Sequence, residues 1–327
     1  MKVLVCGGAG YIGSHVVKAL LREGFEVVIF DNFSSGKEEL VRGREVVRGD
    51  LEDKGEIGRV LRGRGFDAVL HFASLIQVGE SFLNPRRYYT HNLSTSLNLF
   101  EAMLEAGVKK IIFSSSAAVY GIPREVPINE AHPLNPINPY GHTKLFVERI
   151  LEDYDKAYGL KHISLRYFNA AGADPDAQLG EMHDPETHLI PNLLLCLLGQ
   201  KPGFELYGTK FPTPDGTAVR DYIHVTDLAE AHVLALRRLL SSGESDAVNL
   251  GASRGFSVLE VIRKVEEVTG RKVDYAARPE RLGDVPVLLA SKDKAEKLLG
   301  WKLRYSDLET IVETAWRWHH KVVQKTG

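Results

Sequence analysis

A tyrosine and a lysine stand four residues apart in the segment NPYGHTK, positions 138–144. Pro139 suits the first turn of a helix, in which Tyr140 and Lys144 would share one face. A tyrosine is ionised to roughly 0.1% at pH 7, and moving its pKa to about 7 takes about 4 kcal/mol. The ammonium group of Lys144, together with a cationic cofactor ring, could supply this stabilisation. Tyr140 would then take a proton from a substrate hydroxyl group.

Taken alone, such a pair is more often a packing pattern of an ordinary helix. The neighbouring motifs therefore decide whether Tyr140 and Lys144 are interpreted as catalytic. Three serines, 114–116, end the strand predicted at residues 109–116. Residues at the carboxyl edge of a parallel sheet line the ligand crevice, and buried serines need hydrogen-bond partners. The serines therefore indicate a polar site or, equally well, a hydroxyl-rich turn.

The segment VLVCGGAGYIGSH, residues 3–15, contains a glycine-rich turn between a predicted strand and a predicted helix. Gly8, Gly10 and Gly13 fit G-x-G-x-x-G, and Gly7 replaces Gly8 in a wider spacing. Such glycines let a backbone approach a pyrophosphate at a helix start. Asp31 ends the next predicted strand at about the offset expected of a ribose-binding acid. The joint pattern favours NAD over NADP, although Asp31 is also compatible with a turn before Asn32.

The segment GDL, residues 49–51, follows the third predicted strand. Asp50 could accept a hydrogen bond from an adenine amino group while Leu51 packs on the ring. Asp50 could equally be the N-cap of a helix.

Apolar runs alternate with helical patterns through the first half of the chain. Strands are predicted at residues 2–8, 25–32, 44–50, 67–74, 109–116 and 162–169. Their alternation with helices, such as 12–24 and 92–107, predicts an α/β fold with a doubly wound parallel Rossmann sheet. A polar stretch begins near residue 173, so we expect an NAD-binding domain at 1–172. A smaller α/β substrate domain is expected at 173–327, with some segments returning to the first domain.

The overall composition excludes several classes of protein. The 327 residues include 41 Lys and Arg against 43 Asp and Glu, which gives no basic excess for nucleic acid. No apolar run approaches the roughly 20 residues of a membrane span, and the N-terminus has no secretory pattern. Cys6 and Cys196 lie in apolar runs and are interpreted as core residues, which fits a reducing cytoplasm.

The motifs GGAGYIGSH, FDNFSSGK, GDL, HFAS with VGES, FSSSAAVYG, NPYGHTK, LRYFNAAGA and GTAVRDYIHVTDLAEAH occur in this order. Together they resemble the extended short-chain dehydrogenase/reductases, and among these the UDP-glucose 4-epimerase group. The resemblance spans nearly the whole chain. It implies reversible epimerisation at C4 of a UDP-hexose, UDP-galactose to UDP-glucose, through a 4-keto sugar and tightly bound NAD.

The same resemblance implies roles for individual residues. Tyr140 would be the base at the 4-hydroxyl group, Lys144 would lower its pKa and hold the nicotinamide ribose, and Ser116 would bind O4 of the sugar. The predicted cofactor contacts are Gly7, Gly10, Tyr11, Ile12, Gly13, Asp31, Asn32, Asp50, Leu51, Phe72, Ala73, Asn92, Ser114, Tyr140, Lys144 and Tyr167. The predicted substrate contacts are Ser116, Asn169, His188, Leu189, Tyr207, Arg220, Arg281 and Asp284.

The chain departs from the family pattern at three positions. Ile76 stands where some members place a lysine near the cofactor phosphates, and His188 stands where an asparagine often meets the nucleotide. Leu288 falls where residue size is associated with N-acetylated sugars, so UDP-N-acetylhexosamines stay open as substrates. The adjacent histidines 319–320 are interpreted as a solvated helix end, and no metal site is predicted.

The residues after Ser116 distinguish epimerisation from other reactions that related enzymes catalyse. Related 4,6-dehydratases carry an Asp-Glu pair there, whereas Ala117 and Ala118 cannot transfer protons. Decarboxylating relatives are disfavoured in the same way, and epimerisation of UDP-glucuronate stays open. A catalytically inactive NAD-sensing protein need not keep Tyr140 and Lys144.

The helices predicted at 92–107 and 141–158 carry more apolar surface than one sheet face needs. The residues concerned are Leu93, Leu97, Phe100, Leu104, Phe146, Ile150 and Tyr154. With the family resemblance, this pattern predicts a homodimer through a four-helix interface.

Overall fold

The computed structural model describes residues 1–281 and 283–326. Its strands are β1 (Lys2–Cys6), β2 (Glu26–Asp31), β3 (Glu45–Arg48), β4 (Ala68–His71), β5 (Lys110–Ser116), β6 (Lys161–Tyr167), β7 (Asn169–Ala171), β8 (Phe204–Tyr207), β9 (Val219–His224), β10 (Asp246–Leu250), β11 (Gly255–Ser257), β12 (Tyr275–Arg278) and β13 (Val287–Leu288). Its α-helices are α1 (Tyr11–Arg22), α2 (Lys54–Leu61), α3 (Val78–Leu83), α4 (Pro85–Glu105), α5 (Pro139–Tyr158), α6 (Leu189–Leu197), α7 (Val225–Ser242), α8 (Val258–Thr269), α9 (Asp293–Leu299) and α10 (Leu308–Thr326).

The six strands predicted in the first half of the chain all form, and they share one sheet. Among the described residues its strand order is β10-β6-β5-β4-β1-β2-β3, and every neighbouring pair is parallel. The prediction of a doubly wound parallel sheet is confirmed. The strand order reverses between β1 and β4, which is where such sheets open a crevice for ligands.

Each face of the sheet is covered by its own apolar core. Val16 and Leu20 of α1 pack with Leu236 of α7 on one face. Ile57 of α2 and Phe100 of α4 pack on the other face. The strands between them are buried on both sides, which is why they are apolar runs rather than alternating patterns.

A second group of elements follows β6 in the chain. Strands β7, β11 and β13 all pair with β9, and β8 pairs with β12. Leu193 of α6, Val261 of α8 and Ile311 of α10 belong to one further core. In contrast, β10 lies after residue 172 and pairs with β6 in the large sheet. The domain boundary itself stays a prediction.

Two details differ from the expectations drawn from the sequence. His319 is buried, so the adjacent histidines 319–320 are not a solvated helix end, because α10 packs this side against the fold. Cys6 is fully buried, as predicted, whereas Cys196 is only partly buried.

None of the described helices combines the length and the apolar content that crossing a bilayer requires.

Candidate active site

Strand β5 and helix α5 bring Ser116, Tyr140 and Lys144 to one place at the carboxyl edge of the sheet. Pro139 occupies the first turn of α5, and Asn138 Oδ1 accepts a hydrogen bond from the Gly141 amide at 2.7 Å. A Cβ atom on Gly141 would lie 2.5 Å from the carbonyl oxygen of Ala118. The start of α5 is therefore packed directly against the turn that follows Ser116.

Lys144 is held at its charged end rather than left in solvent. It is buried, and its Nζ donates to Ser74 Oγ at 2.9 Å and to the Ser114 carbonyl at 2.7 Å. Burial lowers the pKa of Lys144 to about 7, while Glu148 acts in the opposite direction. Ser74 was not singled out in the sequence, because nothing local connects residues 74 and 144.

Tyr140 is buried beside this lysine, whose Nζ lies 5.8 Å from the centre of the tyrosine ring. Burial raises the pKa of Tyr140, and a hydrogen bond with the Ser116 side chain acts in the opposite direction. The predicted trio therefore meets, and Ser116 contacts the phenol that would carry the proton.

A buried ion pair lies one helical turn beyond Lys144. Glu148, one turn beyond Lys144 on α5, receives Nη2 of Arg166 at 2.6 Å and Nε at 3.0 Å. Both side chains are almost completely buried. Ser115 donates its hydroxyl to the same carboxylate, so Glu148 links α5, β5 and β6 next to the site. Nothing in the local sequence pattern predicts this pair.

The glycine-rich loop fits the backbone of a dinucleotide site. Gly7 has φ of 79°, and a Cβ there would lie 2.6 Å from the Ala73 amide nitrogen. A Cβ on Gly13 would lie 2.3 Å from the Gly7 carbonyl oxygen. Gly10 caps α1 without a side-chain acceptor, so the first amides of α1 stay available for an anion. Tyr11 donates its hydroxyl to the Gly172 carbonyl at 2.6 Å, and Ile12 is partly buried.

Asp31 lies beside this loop at the end of β2. Its two carboxylate oxygens accept the amides of Ala9 and Phe33, each at 2.8 Å. Burial raises the pKa of Asp31, and the two amide hydrogen bonds act in the opposite direction. Each oxygen keeps a further lone pair. The donor set, a glycine cradle with free amides and an acid at the end of β2, fits NAD.

Asp50 and Asn32 form a small polar contact next to Asp31. Asn32 Nδ2 donates to Asp50 Oδ2 at 2.8 Å. The alternative that Asp50 caps a helix is wrong, because Asp53 accepts the amides of Gly55 and Glu56 and caps α2. Asp50 is thus free of the capping role, and the neighbouring Leu51 is buried in the core.

The remaining predicted cofactor residues lie after β4, within α4, in β5 and at the end of β6. Phe72 and Ala73 directly follow β4, where Ala73 abuts Gly7. Asn92 accepts the Leu75 amide at 2.8 Å and donates to Thr143 at 3.1 Å. Tyr167 ends β6.

The hydroxyl of Tyr167 is already engaged, since it lies 2.6 Å from Nε2 of His232. Ser114 offers its carbonyl oxygen to Lys144, as described above. Asn92 therefore positions the loop after β4, while Ser114 positions the lysine.

Four of the predicted substrate residues converge on the second group of elements. Arg281 stacks on Tyr207, with its guanidinium carbon 4.0 Å from the ring centre. The Arg281 amide donates to Asp284 at 3.2 Å, and Asp284 lies 4.0 Å from Arg220 Nη2. Arg220 is fixed by hydrogen bonds to the carbonyls of Val219 and Val285. The cluster offers two guanidinium groups and one aromatic face.

The other predicted substrate residues are engaged within the fold. Asn169 Nδ2 donates to the Asp221 carbonyl at 3.0 Å. His188 caps α6, and its Nδ1 contacts Glu181. Leu189 is the first residue of α6 and packs on the core beneath it. Leu288 is partly buried in β13, next to Arg220 in β9.

Comparisons with known proteins agree with this geometry. Residues 3–251 match the model of the NAD dependent epimerase/dehydratase family. The chain is 47% identical over 320 residues to a UDP-glucose 4-epimerase of Lacticaseibacillus casei, covering 98% of this chain and 97% of that one. It also resembles the UDP-glucose 4-epimerase of Brucella ovis solved with NAD, with a TM-score of 0.94 and 47% identity over 97% of each chain. The enzyme of Bifidobacterium longum, solved with NAD⁺ and UDP, gives a TM-score of 0.93 and 39% identity over 98% of each chain.

Proposed function

The chain belongs to the NAD-dependent epimerase/dehydratase family, and we propose that it interconverts UDP-galactose and UDP-glucose by reversible oxidation at C4 of the hexose. One observation carries the proposal. Ser116, Tyr140 and Lys144 meet at the sheet edge, and the turn packed on them holds Ala117 and Ala118 instead of carboxylates. Such a site can transfer one proton reversibly, but the turn after Ser116 offers no carboxylic acid that could protonate a leaving hydroxyl group during elimination of water.

Proton transfer at the sugar O4 is assigned to Tyr140. The phenol is hydrogen-bonded to Ser116, so a hydroxyl group that displaces this contact would meet both oxygens. Lys144 is positioned by Ser74 and Ser114 to stabilise a developing phenolate. NAD, when bound, supplies the redox chemistry by accepting the C4 hydride and returning it.

The glycine cradle after β1 and Asp31 would hold NAD, and the cluster around Arg220 would hold the UDP part of the substrate. Guanidinium groups suit a pyrophosphate because they bind its oxygens in pairs. Arg281 stacks on one face of the Tyr207 ring, and the other face of an aromatic ring suits a uracil ring. Firm anchoring of UDP leaves the hexose free to turn over, which inversion at C4 requires.

The proposal is tested by incubating the purified, NAD-saturated protein with UDP-galactose. UDP-glucose should form without net accumulation of NADH, since the hydride returns to the same sugar. Release of a 4-keto-6-deoxy sugar, or no conversion by folded protein, would overturn the proposal. UDP-N-acetylgalactosamine in a parallel reaction measures how far Leu288 permits the larger sugar.

Tyr140→Phe separates catalysis from binding. The variant keeps the ring and loses the proton carrier, so kcat should fall by at least about 100-fold. The bound NAD content, measured after denaturation, should stay at the wild-type level. Wild-type turnover in Tyr140→Phe would remove this residue from the mechanism.

We also propose that the chain forms a homodimer through α4 and α5. Phe146 of α5 is 45% exposed, with Tyr89 of α4 6.3 Å away and His142 stacked on it at the same distance. A partly exposed cluster of three aromatic rings on a pair of helices is typical of a protein–protein interface. Phe100 is fully buried within the chain and takes no part.

A further inference from the structure

The segment GEMHDPETH, residues 180–188, repeats the dyad Glu-x-His five residues apart. In the structure its four members, Glu181, His183, Glu186 and His188, come together. One ligand atom from each lies within 4.8 Å of the other three. No metal site was predicted from the sequence, because the repeated dyad does not match the ligand spacings typical of zinc.

The two carboxylates of the cluster are deeply buried. The side chains of Glu181 and Glu186 are each 3% exposed. Within the described residues, neither forms an ion pair with a lysine or arginine, and the cationic partners available are His183 and His188. Buried carboxylates are stable only when they are paired or bind a metal.

The two histidines converge on the same carboxylate. Nδ1 of His183 lies 2.7 Å from Glu181 Oε1, and Nδ1 of His188 contacts that oxygen as well. The two rings are 5.3 Å apart. If both rings balanced the carboxylates as cations, two like charges would face each other at this distance. One divalent cation balances both carboxylates and leaves both imidazoles neutral, as metal ligands must be.

We propose that Glu181, His183, Glu186 and His188 bind one Zn²⁺ ion per chain, through the two Nδ1 atoms and one oxygen of each carboxylate. Imidazole nitrogen and carboxylate oxygen are ligands that zinc prefers in proteins, and four protein ligands complete its tetrahedral shell. A site closed in this way is structural. It would fix the segment 181–188 beside the cofactor loop, where the ring of His183 lies 6.3 Å from the ring of Tyr11.

Hydrogen bonds from the surrounding chain hold Glu181 and Glu186 in place. Glu186 Oε1 accepts the amides of Thr187 and His188, at 2.7 and 2.8 Å, which orients the carboxylate. The Glu181 carbonyl accepts the Trp318 indole N–H at 3.0 Å, so α10 holds the backbone of the first dyad. Such outer contacts orient the ligands of a metal site. The ion would join the segment to α6, which begins directly after His188.

The test uses the full chain without an affinity tag, treated with a chelator and then supplied with one equivalent of Zn²⁺. Mass spectrometry of the metal after dialysis should find one zinc per chain, and the melting temperature should rise with zinc, since an ion that binds only the folded state stabilises it. His183→Gln should weaken zinc binding by at least about 100-fold, more than the loss of an outer-sphere contact costs.

His91→Gln is the matched control, because His91 also contacts a glutamate, Glu52, at 2.8 Å but lies outside the cluster. It should retain the wild-type zinc stoichiometry. The native chain loaded with Co²⁺ should give the intense visible absorption of a tetrahedral site, which needs no variant to fold. Failure of the native chain to retain zinc, or equal retention by His183→Gln, would overturn the proposal whatever the activity on UDP-galactose.

Discussion

The buried pair of Glu148 and Arg166 offers a quantitative test of how the site is built. Replacing Glu148 with Met leaves the Arg166 guanidinium without its partner in a position where its side chain is only 5% exposed. Breaking a buried pair from one side costs about 3–5 kcal/mol. With an unfolding entropy of about 0.7 kcal/mol/K for 327 residues, the melting temperature should fall by about 4–7 °C.

The double variant Glu148→Met with Arg166→Met shows whether this loss of stability comes from the unpaired buried charge. Two methionines remove both charges, so the desolvation penalty that damages each single variant disappears. A double-mutant cycle by chemical denaturation should give a coupling energy of about 2–3 kcal/mol. If the single losses add within about 0.5 kcal/mol, the pair is not coupled and the reasoning is refuted.

The same variants report on positioning of the catalytic groups. Glu148 also receives the Ser115 hydroxyl and raises the pKa of Lys144 against the effect of burial. Loss of its charge should therefore lower the pKa of Lys144 further and reduce kcat with UDP-galactose at neutral pH. A purely structural role for Glu148 would leave the pH profile of kcat where it is in the wild-type chain.

Three further predictions concern the cofactor loop, the lysine and the dimer. Gly13→Ala should abolish NAD binding, because its Cβ would lie 2.3 Å from the Gly7 carbonyl, whereas Gly203→Ala, which meets nothing within 4 Å, should bind NAD normally in a calorimetric titration. In the cofactor-free chain the pKa of Lys144 is lowered to about 7, so its contribution to stability is present above the unfolded pKa and is lost as the pH falls through about 7. The melting temperature of the wild type relative to Lys144→Met should therefore rise between pH 7 and pH 9, and a difference independent of pH would contradict this. Phe146→Asp should shift the sedimentation of the chain from dimer to monomer, and an unchanged dimer would exclude this face.

The sheet could be predicted because its strands are covered on both sides. Runs such as residues 3–6 are apolar throughout, and the glycine-rich turn marks where the first run ends. Helix boundaries were less well predicted. Helix α4 was expected from residue 92 but begins at Pro85, behind the cap Asn84, which is the same Asn-Pro start that α5 uses at Asn138. Pro139 was already recognised as a first-turn residue, and the same interpretation of Asn84 and Pro85 would have placed the start of α4.

Contacts between distant parts of the chain could not be predicted in this way. Glu148 and Arg166 are 18 residues apart on a helix and a strand, and no periodicity connects them. Ser74 follows β4, and it meets Lys144 of α5 because β4 lies beside β5, whose Ser114 carbonyl binds the same ammonium group. The repeated Glu-x-His dyad was visible in the sequence, but its two halves meet only because the polar segment before α6 folds back on itself.

The burial of Tyr140 and Lys144 bears on where the charge that would activate Tyr140 comes from. The sequence predicts that the ammonium group of Lys144 and a cationic cofactor ring stabilise the phenolate together. Burial lowers the pKa of Lys144 to about 7 and raises the pKa of Tyr140, which weakens the stabilisation that the lysine alone gives a phenolate in the cofactor-free chain. Two buried groups with opposed shifts favour their neutral forms together. The reactive phenolate therefore needs a further positive charge and further acceptors for Lys144 near the pair. Under the proposed mechanism, proton abstraction by Tyr140 would therefore require the oxidised cofactor to be bound already.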